Sequence, residues 1–454
     1  MTTQSLAKRL SDLQPHIIPN NDSTDYMLKY CMEKDLDAMA VVNVSILKRQ
    51  VELWKRAMPS VWPHYAIKCN PHPVIVRTLH ELGCGFDAAS PNEVEKALSV
   101  GSTISSIIYA NPQKQAVNIK KVYELGVDTF TFDSEMELIK MIENTPEGKI
   151  GQFVLRILPV NTGAHQNFGS KFGASKKESE RLLKLAQRLA QTHKNFTIAG
   201  FSFHVGTGCP FGEAYVKAIQ ECTRLCSLAQ ELGFAPKLID IGGGFITQEA
   251  LLHLKDHESI PSFNFMDIGA AIEKQLIEAR KVFGEDMKAI SEPGRFFASN
   301  CVKLVTRVYG RRIMFDDNEP DVIEQMPKVD EEESLTESDM MIRQNKIEHV
   351  KYYVGEGMYG YFNNIMFDHV LPNMRFFRNE FPLDEQDCEK HISYIFGPTC
   401  DSMDCILEGK QIPLLEIGDF IVVECFGAYT WAGATEFNGI AVTQMVTVVE
   451  PEDA

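Results

Sequence analysis

The sequence predicts an α/β fold: a (β/α)8 barrel of the TIM type over about residues 42–290, plus a second, all-β and mostly antiparallel domain from residues 1–41 and 291–454. Three observations predict it. Between Tyr65 and Arg295, eight short β-branched or apolar runs each end in a polar or glycine-rich turn. Stretches such as NEVEKALSVG and KESERLLKLAQRLAQTH separate them, with apolar residues at the three- and four-residue spacing of a helix that buries one face. After Arg295 the helical spacing fades and strand-like runs with turns between them take over.

In chain order, DAMAVVNVS near Asp37 reads as a strand that either joins the β domain or leads into the barrel. The eight runs are HYAIKCNP, CGFDAAS, SIIYANPQK, TFTFDSE, FVLRIL, IAGFSFHVG, KLIDIGGGF and KAISEPGR. Eight strand–helix units suit a closed barrel, whose catalytic groups sit at the C-terminal ends of the strands; an open doubly wound sheet is the competing arrangement. LVTRVYGRRI, HVKYYVGEG, YIFGP, DFIVVECFG and QMVTVVE then read as strands of the β domain. An acidic insertion at about 315–348 interrupts them. From Asp316 to Asp339 eleven acidic residues stand against one lysine with no apolar periodicity, which predicts a disordered or loosely packed surface loop.

A net charge of -17 argues against nucleic acid or an anionic membrane as the main partner. No apolar run is long enough to span a bilayer, and MTTQSLAKRLSDLQPHIIPNNDSTD has no apolar core suited to a signal peptide. The 11 cysteines are odd in number and form no Cys-x-x-Cys pair or zinc-ligand spacing. A reduced, cytoplasmic protein with no bound metal is the expectation.

The C-terminal ends of the eight runs carry Lys68, Asp87, Asn111, Asp133, Arg156, His204, the glycines 242–244, and Glu292 with Arg295. Ordinary strand ends are Gly, Ser or Asn turns, so a set this rich in charge reads as a site. A lysine ending a buried strand is expensive unless paired or used; burial is expected to lower its pKa and make the Lys68 amine a nucleophile suited to Schiff-base chemistry. Pairing with Asp87 is the plainer alternative. Gly242, Gly243 and Gly244 leave backbone N–H groups to wrap an anion, and Gly294 and Arg295 follow one strand later. The spacing is neither a dinucleotide fingerprint nor a Walker loop, and a tight turn alone would also explain the glycines. Glu292 suits a heterocyclic nitrogen, and His204 offers a flat ring. Together these parts describe a pyridoxal phosphate site.

YAIKCN, GFDAAS, YANPQKQ, TFDSE, HVGTGC, IDIGGGF, SEPGR, FNNIMFDH, GPTCDSMD and FGAYTWAGATEFNG follow one another from about Met39 to Glu450. In these motifs the chain resembles the eukaryotic ornithine decarboxylases, in the alanine racemase-like group of pyridoxal phosphate enzymes. The resemblance implies decarboxylation of L-ornithine to putrescine. It makes Lys68 the Schiff-base lysine, with Asp87 and Glu93 near it and Arg156 beside the cofactor. It stacks His204 on the pyridine ring and pairs Glu292 with the ring nitrogen. Thr207, the three glycines, Gly294, Arg295 and Tyr429 fall around the phosphate. Asp368 and Asp401 bind the far ammonium of the substrate, with Phe367 beside them, and Cys400 is the acid that protonates Cα.

The Cys-Asp pair of that family reaches the site from the other subunit, so a homodimer with active sites at the subunit interface is implied. An antizyme-like regulator is a further possible partner, through NIKKVYELGVDTFTFDSEMEL. The chain departs from the family in having Phe367 for tyrosine, Gly355-Glu356-Gly357 for Asn-Asp-Gly and Thr207 for serine, and PVNTGAHQNFGSKFGA lacks the usual arginine. Lysine, arginine and diaminopimelate are competing substrates, and a catalytically silent antizyme-inhibitor-like paralogue is the reading from a different class.

Overall fold

Eight parallel strands close into a barrel: Val61–Ala66, Gly85–Ala88, Ile107–Tyr109, Thr129–Phe132, Gly151–Ile157, Phe196–Phe203, Leu238–Asp240 and Lys288–Ser291, the last pairing back onto the first. The computed structural model describes residues 5–18, 22–159, 163–164, 171–254, 262–315, 347–383 and 389–453. Each of the eight runs picked out by periodicity is a barrel strand. The register Ile290↔Trp62 closes the ring and rules out the open sheet.

Alternation along the strands divides two environments. Phe86 and Ala88 join the main apolar core against the helices, whereas Asp87 between them is buried on the opposite face. Ile239 and Ile241 flank Asp240 in the same way. The inward face holds a small apolar cluster of Ile108, Ala110, Val154 and Ile290, in register with these acids: Asp87 pairs with Ile108, and Asp240 with Ile290. Helices start immediately after several strand ends because the caps are encoded there. The Ser90 and Ser134 side chains accept the N–H groups of Glu93 and Glu137, and Ser175 with Glu178 forms a reciprocal capping box. The first two caps pin the turns that carry Asp87 and Asp133, whereas Ser175 stands well beyond its strand end at Ile157.

Among the described residues the second sheet has ten strands. Its long strand Val302–Phe315 runs antiparallel to Ala38–Asn43, Ile347–Val354 and Phe420–Val423. Ala38–Asn43 also pairs in parallel with Met445–Val449, so DAMAVVNVS belongs to the β domain. The strands Met374–Arg378, Phe381–Pro382 and Cys405–Pro413 were not apparent in the sequence pattern. Cys405–Pro413 lies at the end of the sheet and exposes its middle residues, so its apolar alternation is broken. Of the acidic insertion, residues 316–346 lie outside the described residues; its flanks, Phe315 and Ile347, are register partners in one hairpin. No helix among the described residues is long and apolar enough to cross a membrane.

Helix Val44–Ala57 joins the two domains. Its Trp54 is fully buried against Phe245, Phe265, Phe296 and Phe297 and donates Nε1–H to the Val61 carbonyl at 3.0 Å. The barrel mouth is thereby held against the segment after Ser291, from which Arg295 emerges.

Candidate active site

Lys68 lies in the tight turn Ile67–Cys69 directly after the first barrel strand. Its Nζ donates to Asp87 Oδ2 at 3.0 Å, and Asp87 is buried. The Lys68 side chain is 45 % exposed because it faces the barrel mouth, although its ammonium lies deep among protein atoms. Burial pushes that ammonium toward losing its proton, but the Asp87 carboxylate hydrogen-bonded to it leads the neighbouring acids in outweighing burial and holding the pKa above the ordinary lysine value. The lowered pKa expected from burial is therefore reversed, because the same fold that desolvates the amine surrounds it with acids. Glu93 lies close by and accepts the Ala89 N–H at 2.6 Å; burial raises its pKa, and the charge of Asp87 adds to this.

Beneath Lys68, Glu292 and Asp240 form a buried carboxyl pair. Burial pushes Glu292 well above the usual carboxyl range, and the charges of Asp240 and Asp87 push it further. Burial also raises Asp240, against the help of its hydrogen bonds. Asp240 Oδ1 accepts the Gly242 N–H at 2.9 Å, while its Oδ2 makes no hydrogen bond of ordinary geometry among the described residues and its side chain interacts with Glu292. Two such groups resist ionising together, so the pair retains a proton, mainly on Glu292. His204 is neutral: burial lowers its pKa strongly, and the Arg156 and Lys68 charges act in the same direction. Its Nδ1 accepts the Gly206 N–H at 3.0 Å, which leaves the ring proton on Nε2.

The glycine triplet is packed where side chains cannot go. A Cβ on Gly242 would stand 2.0 Å from the Phe203 carbonyl oxygen, and one on Gly244 would stand 2.3 Å from that of Gly206. A Cβ on Gly243 would meet the Glu292 carbonyl oxygen at 2.7 Å and His204 Nε2 at 2.9 Å. The amides of Gly243 and Gly244 donate to no described residue. Thr207 is buried on the loop that carries Gly206. Arg295 donates through Nη2 to both oxygens of Asp368, at 2.8 and 2.6 Å, and its guanidinium lies 5.1 Å over the Tyr429 ring. Gly294 is pressed against Cys69, and Tyr429 N–H donates to the Cys69 carbonyl at 2.8 Å, so the Arg295 and Tyr429 backbones are tied to the lysine turn. Arg156 acts on His204 and Asp240 by its charge and sits 5.4 Å over the Phe172 ring.

Open backbone donors, a guanidinium, a neutral aromatic face, a proton-holding carboxyl and a lysine suit the phosphate, ring, ring nitrogen and aldehyde of pyridoxal phosphate. The residues fit that cofactor. Asn111 and Asp133 serve the loops instead: Asn111 Oδ1 accepts the Gln113 N–H at 3.2 Å, and Asp133 Oδ2 accepts the Gly173 N–H at 2.8 Å.

A second group gathers on the β domain. Cys400 is exposed, and its N–H donates to Asn438 Oδ1 at 3.0 Å. Asp401 accepts a hydrogen bond from Tyr359, whose ring stacks on Phe437 at 4.1 Å. Asp404 is buried and accepts from the Met358 N–H at 2.7 Å and from Thr399 N–H and Oγ1–H at 2.9 and 2.7 Å, so it fastens the Cys400 loop to the turn before Tyr359. Glu356, at one of the departures, accepts the N–H groups of Gly357 and Tyr361 at 2.9 and 3.1 Å and holds that turn. Phe367 is 74 % exposed. Among the described residues no hydrogen bond or ion pair joins Cys400 or Asp401 to Lys68, His204 or Glu292. No sequence motif assigns a role to Asp240, Asp404, Glu356 or Tyr359. Only Asp240 left a signal there, as a carboxylate between two isoleucines of a buried strand.

Residues 44–299 match the family described as the pyridoxal binding domain of pyridoxal-dependent decarboxylases. The chain is 35% identical over 408 residues to an ornithine decarboxylase of Mus musculus, covering 89% of this chain and 79% of that one. It is 34% identical over 407 residues to antizyme inhibitor 2 of Xenopus laevis, covering 89% and 80%. A solved structure of a lysine/ornithine decarboxylase from Vibrio vulnificus complexed with cadaverine superposes with a TM-score of 0.72 at 27% identity, covering 93% of this chain and 98% of that one.

Proposed function

The chain belongs to the pyridoxal-dependent decarboxylases, enzymes here directed to basic amino acids, and from that premise we propose that it decarboxylates L-ornithine to putrescine. The observation that carries the reading is the group at the barrel mouth, with Lys68 on Asp87, Glu292 holding a proton beside Asp240, and the open Gly243 and Gly244 amides next to Arg295.

Pyridoxal phosphate, when bound, supplies the electron sink that accepts the pair left by departing carbon dioxide. Lys68 is the covalent anchor. Its Nζ must release a proton first, and the acids that keep it charged are the groups that tune that release. Glu292 presents its proton to the heterocyclic nitrogen and remains paired with it. Neutral His204 covers a ring face without adding charge. Gly243 and Gly244 would hold the phosphate by their N–H groups, Thr207 and Tyr429 by their hydroxyls and Arg295 by its guanidinium, the donors suited to an oxyanion, with Gly242 and Gly294 shaping the turns that present them. Cys400 Sγ delivers a proton to the substrate Cα, and the Asp401 carboxylate holds the far ammonium, with Phe367 and Asp368 lining the approach. Cys400 and Asp401 form a group of their own on the β domain, which supports a homodimer in which they complete the partner's site. Cytoplasmic location and an antizyme-like regulator belong to the same proposal.

Lysine is the strongest rival substrate, because one added methylene is worth only about 1–3 kcal/mol of discrimination. The similarity to antizyme inhibitor 2 supports a second reading, a protein that keeps the fold and acts by binding. The test is carbon dioxide release from ornithine, lysine, arginine and diaminopimelate side by side. Ornithine should show the highest kcat/KM. An equal or higher value for lysine overturns the substrate assignment. No release from any of the four, with no change in absorbance on mixing the protein with pyridoxal phosphate, overturns the decarboxylase reading and favours the regulatory one.

A further inference from the structure

Glu356 is buried to 4% exposure, and no lysine or arginine pairs with it among the described residues. A carboxyl group so placed is costly unless its oxygens find donors. Here they do. Oε1 accepts the N–H groups of Gly357 and Tyr361, at 2.9 and 3.1 Å, and the Thr443 side chain bonds to the same carboxyl. The side chain thereby closes a loop over residues 357–360 and fills its inside, since a Cβ on Gly360 would stand 1.6 Å from Oε1.

Tyr359 stands in that loop. Before it, Asp404 accepts the Met358 N–H at 2.7 Å; beyond it, Glu356 takes hold of the chain at Tyr361, where a short helix starts. The phenol leaves the loop to donate to Asp401 Oδ2, while its ring stacks on Phe437 at 4.1 Å. Asp401 Oδ1 is occupied within its own loop by the Met403 N–H at 3.0 Å. Tyr359 is therefore the side chain that ties the direction of the Asp401 carboxylate to the rest of the β domain.

We infer that Glu356 is a positioning residue for recognition of the substrate's far end: by closing its loop it sets the Tyr359 hydroxyl, which aims the Asp401 carboxylate at the far ammonium. The inference rests on the reading that Asp401 binds that ammonium. It makes the length of the Glu356 side chain decisive and its charge dispensable. Burial raises the Glu356 pKa, and an amide oxygen at the same place can accept the same two N–H groups.

The experiment measures carbon dioxide release by the holoenzyme from L-ornithine and from L-2-aminopentanoate, which has the same carbon chain without the far ammonium. Wild type, Glu356→Gln, Glu356→Ala, Tyr359→Phe, the double variant of the last two and Asp401→Ala are compared. Glu356→Ala should lower kcat/KM for ornithine by about tenfold or more, the scale of one charge-assisted hydrogen bond moved out of reach. The loss should fall mainly on KM, and 2-aminopentanoate should be unaffected. Glu356→Gln should keep wild-type values with both. In the Tyr359→Phe background Glu356→Ala should change ornithine no further. Equal losses with the two amino acids, which a general loss of folded enzyme would produce, overturn the inference. Wild-type ornithine kinetics in Glu356→Ala, a Glu356→Gln as impaired as Glu356→Ala, or a further loss in the double variant also overturn it. If Asp401→Ala keeps the wild-type KM for ornithine, it is the reading of Asp401 that fails, and the inference with it.

Discussion

Gly243 tests the cradle most directly, because its φ lies outside the left-handed region and an alanine there is opposed by space alone. The added methyl would sit 2.7 Å from the Glu292 carbonyl oxygen and 2.9 Å from His204 Nε2, whereas ordinary contact begins near 3.4 Å. Neither neighbour can yield easily. The Glu292 N–H donates to the Gly242 carbonyl at 2.7 Å, and His204 is held by the Gly206 N–H at 3.0 Å. The strain therefore falls on the Gly243 peptide, which must shift by several tenths of an ångström. A shift of about 0.7 Å stretches a hydrogen bond of ordinary length beyond useful range. One hydrogen bond to a charged group is worth about 1.5–3 kcal/mol, so Gly243→Ala should weaken pyridoxal phosphate binding by roughly ten- to hundredfold. Overpacking should also cost about 1–3 kcal/mol of stability. Absorbance titration of the apo-protein reads the affinity, and urea unfolding reads the stability. Wild-type affinity in a folded Gly243→Ala protein would refute the assignment of this amide to the phosphate.

Cys400→Ala should lose most turnover while keeping the cofactor spectrum and stability within about 0.5 kcal/mol, since the side chain is exposed; mixing it with inactive Lys68→Ala subunits should restore activity, and no restoration would argue against shared sites. Glu292→Gln should flatten the pH dependence of apo-protein stability. The Glu292 pKa is raised in the fold, so its contribution is full below the ordinary carboxyl range and is lost as pH rises through the folded value. Wild-type melting should therefore fall from about pH 5 upward more steeply than that of the variant, and parallel curves would contradict this. Asp404→Ala removes the acceptor of three hydrogen bonds and should destabilise the protein by about 3 kcal/mol or more in urea unfolding while lowering turnover. Unchanged stability would show that the Cys400 loop holds its shape without Asp404.

The barrel was legible in the chain because each strand is local: a short apolar run, a functional turn and a capped helix follow in sequence, and the periods of two and 3.6 mark the boundaries. That same locality put Lys68, Asp87, His204, the glycines and Glu292 at strand ends, where the barrel brings them together. Strands such as Met374–Arg378 and Cys405–Pro413 escaped because their burial does not alternate: Met374–Arg378 buries Phe376 and Phe377 side by side, and Cys405–Pro413, at the end of the sheet, exposes its middle residues.

Relations between charges were decided by the fold. Asp87 is nineteen positions from Lys68 in the chain, yet its charge leads in reversing the effect of burial on the lysine. Asp240 became a partner of Glu292 only when two neighbouring strands were laid in register. Arg295 and Asp368 stand 73 positions apart in different parts of the fold, and their contact assigns each a state that neither motif contains. Residue identity is written along the chain, whereas pKa, pairing and desolvation depend on distances between elements, and these arise only once the sheets close and pack.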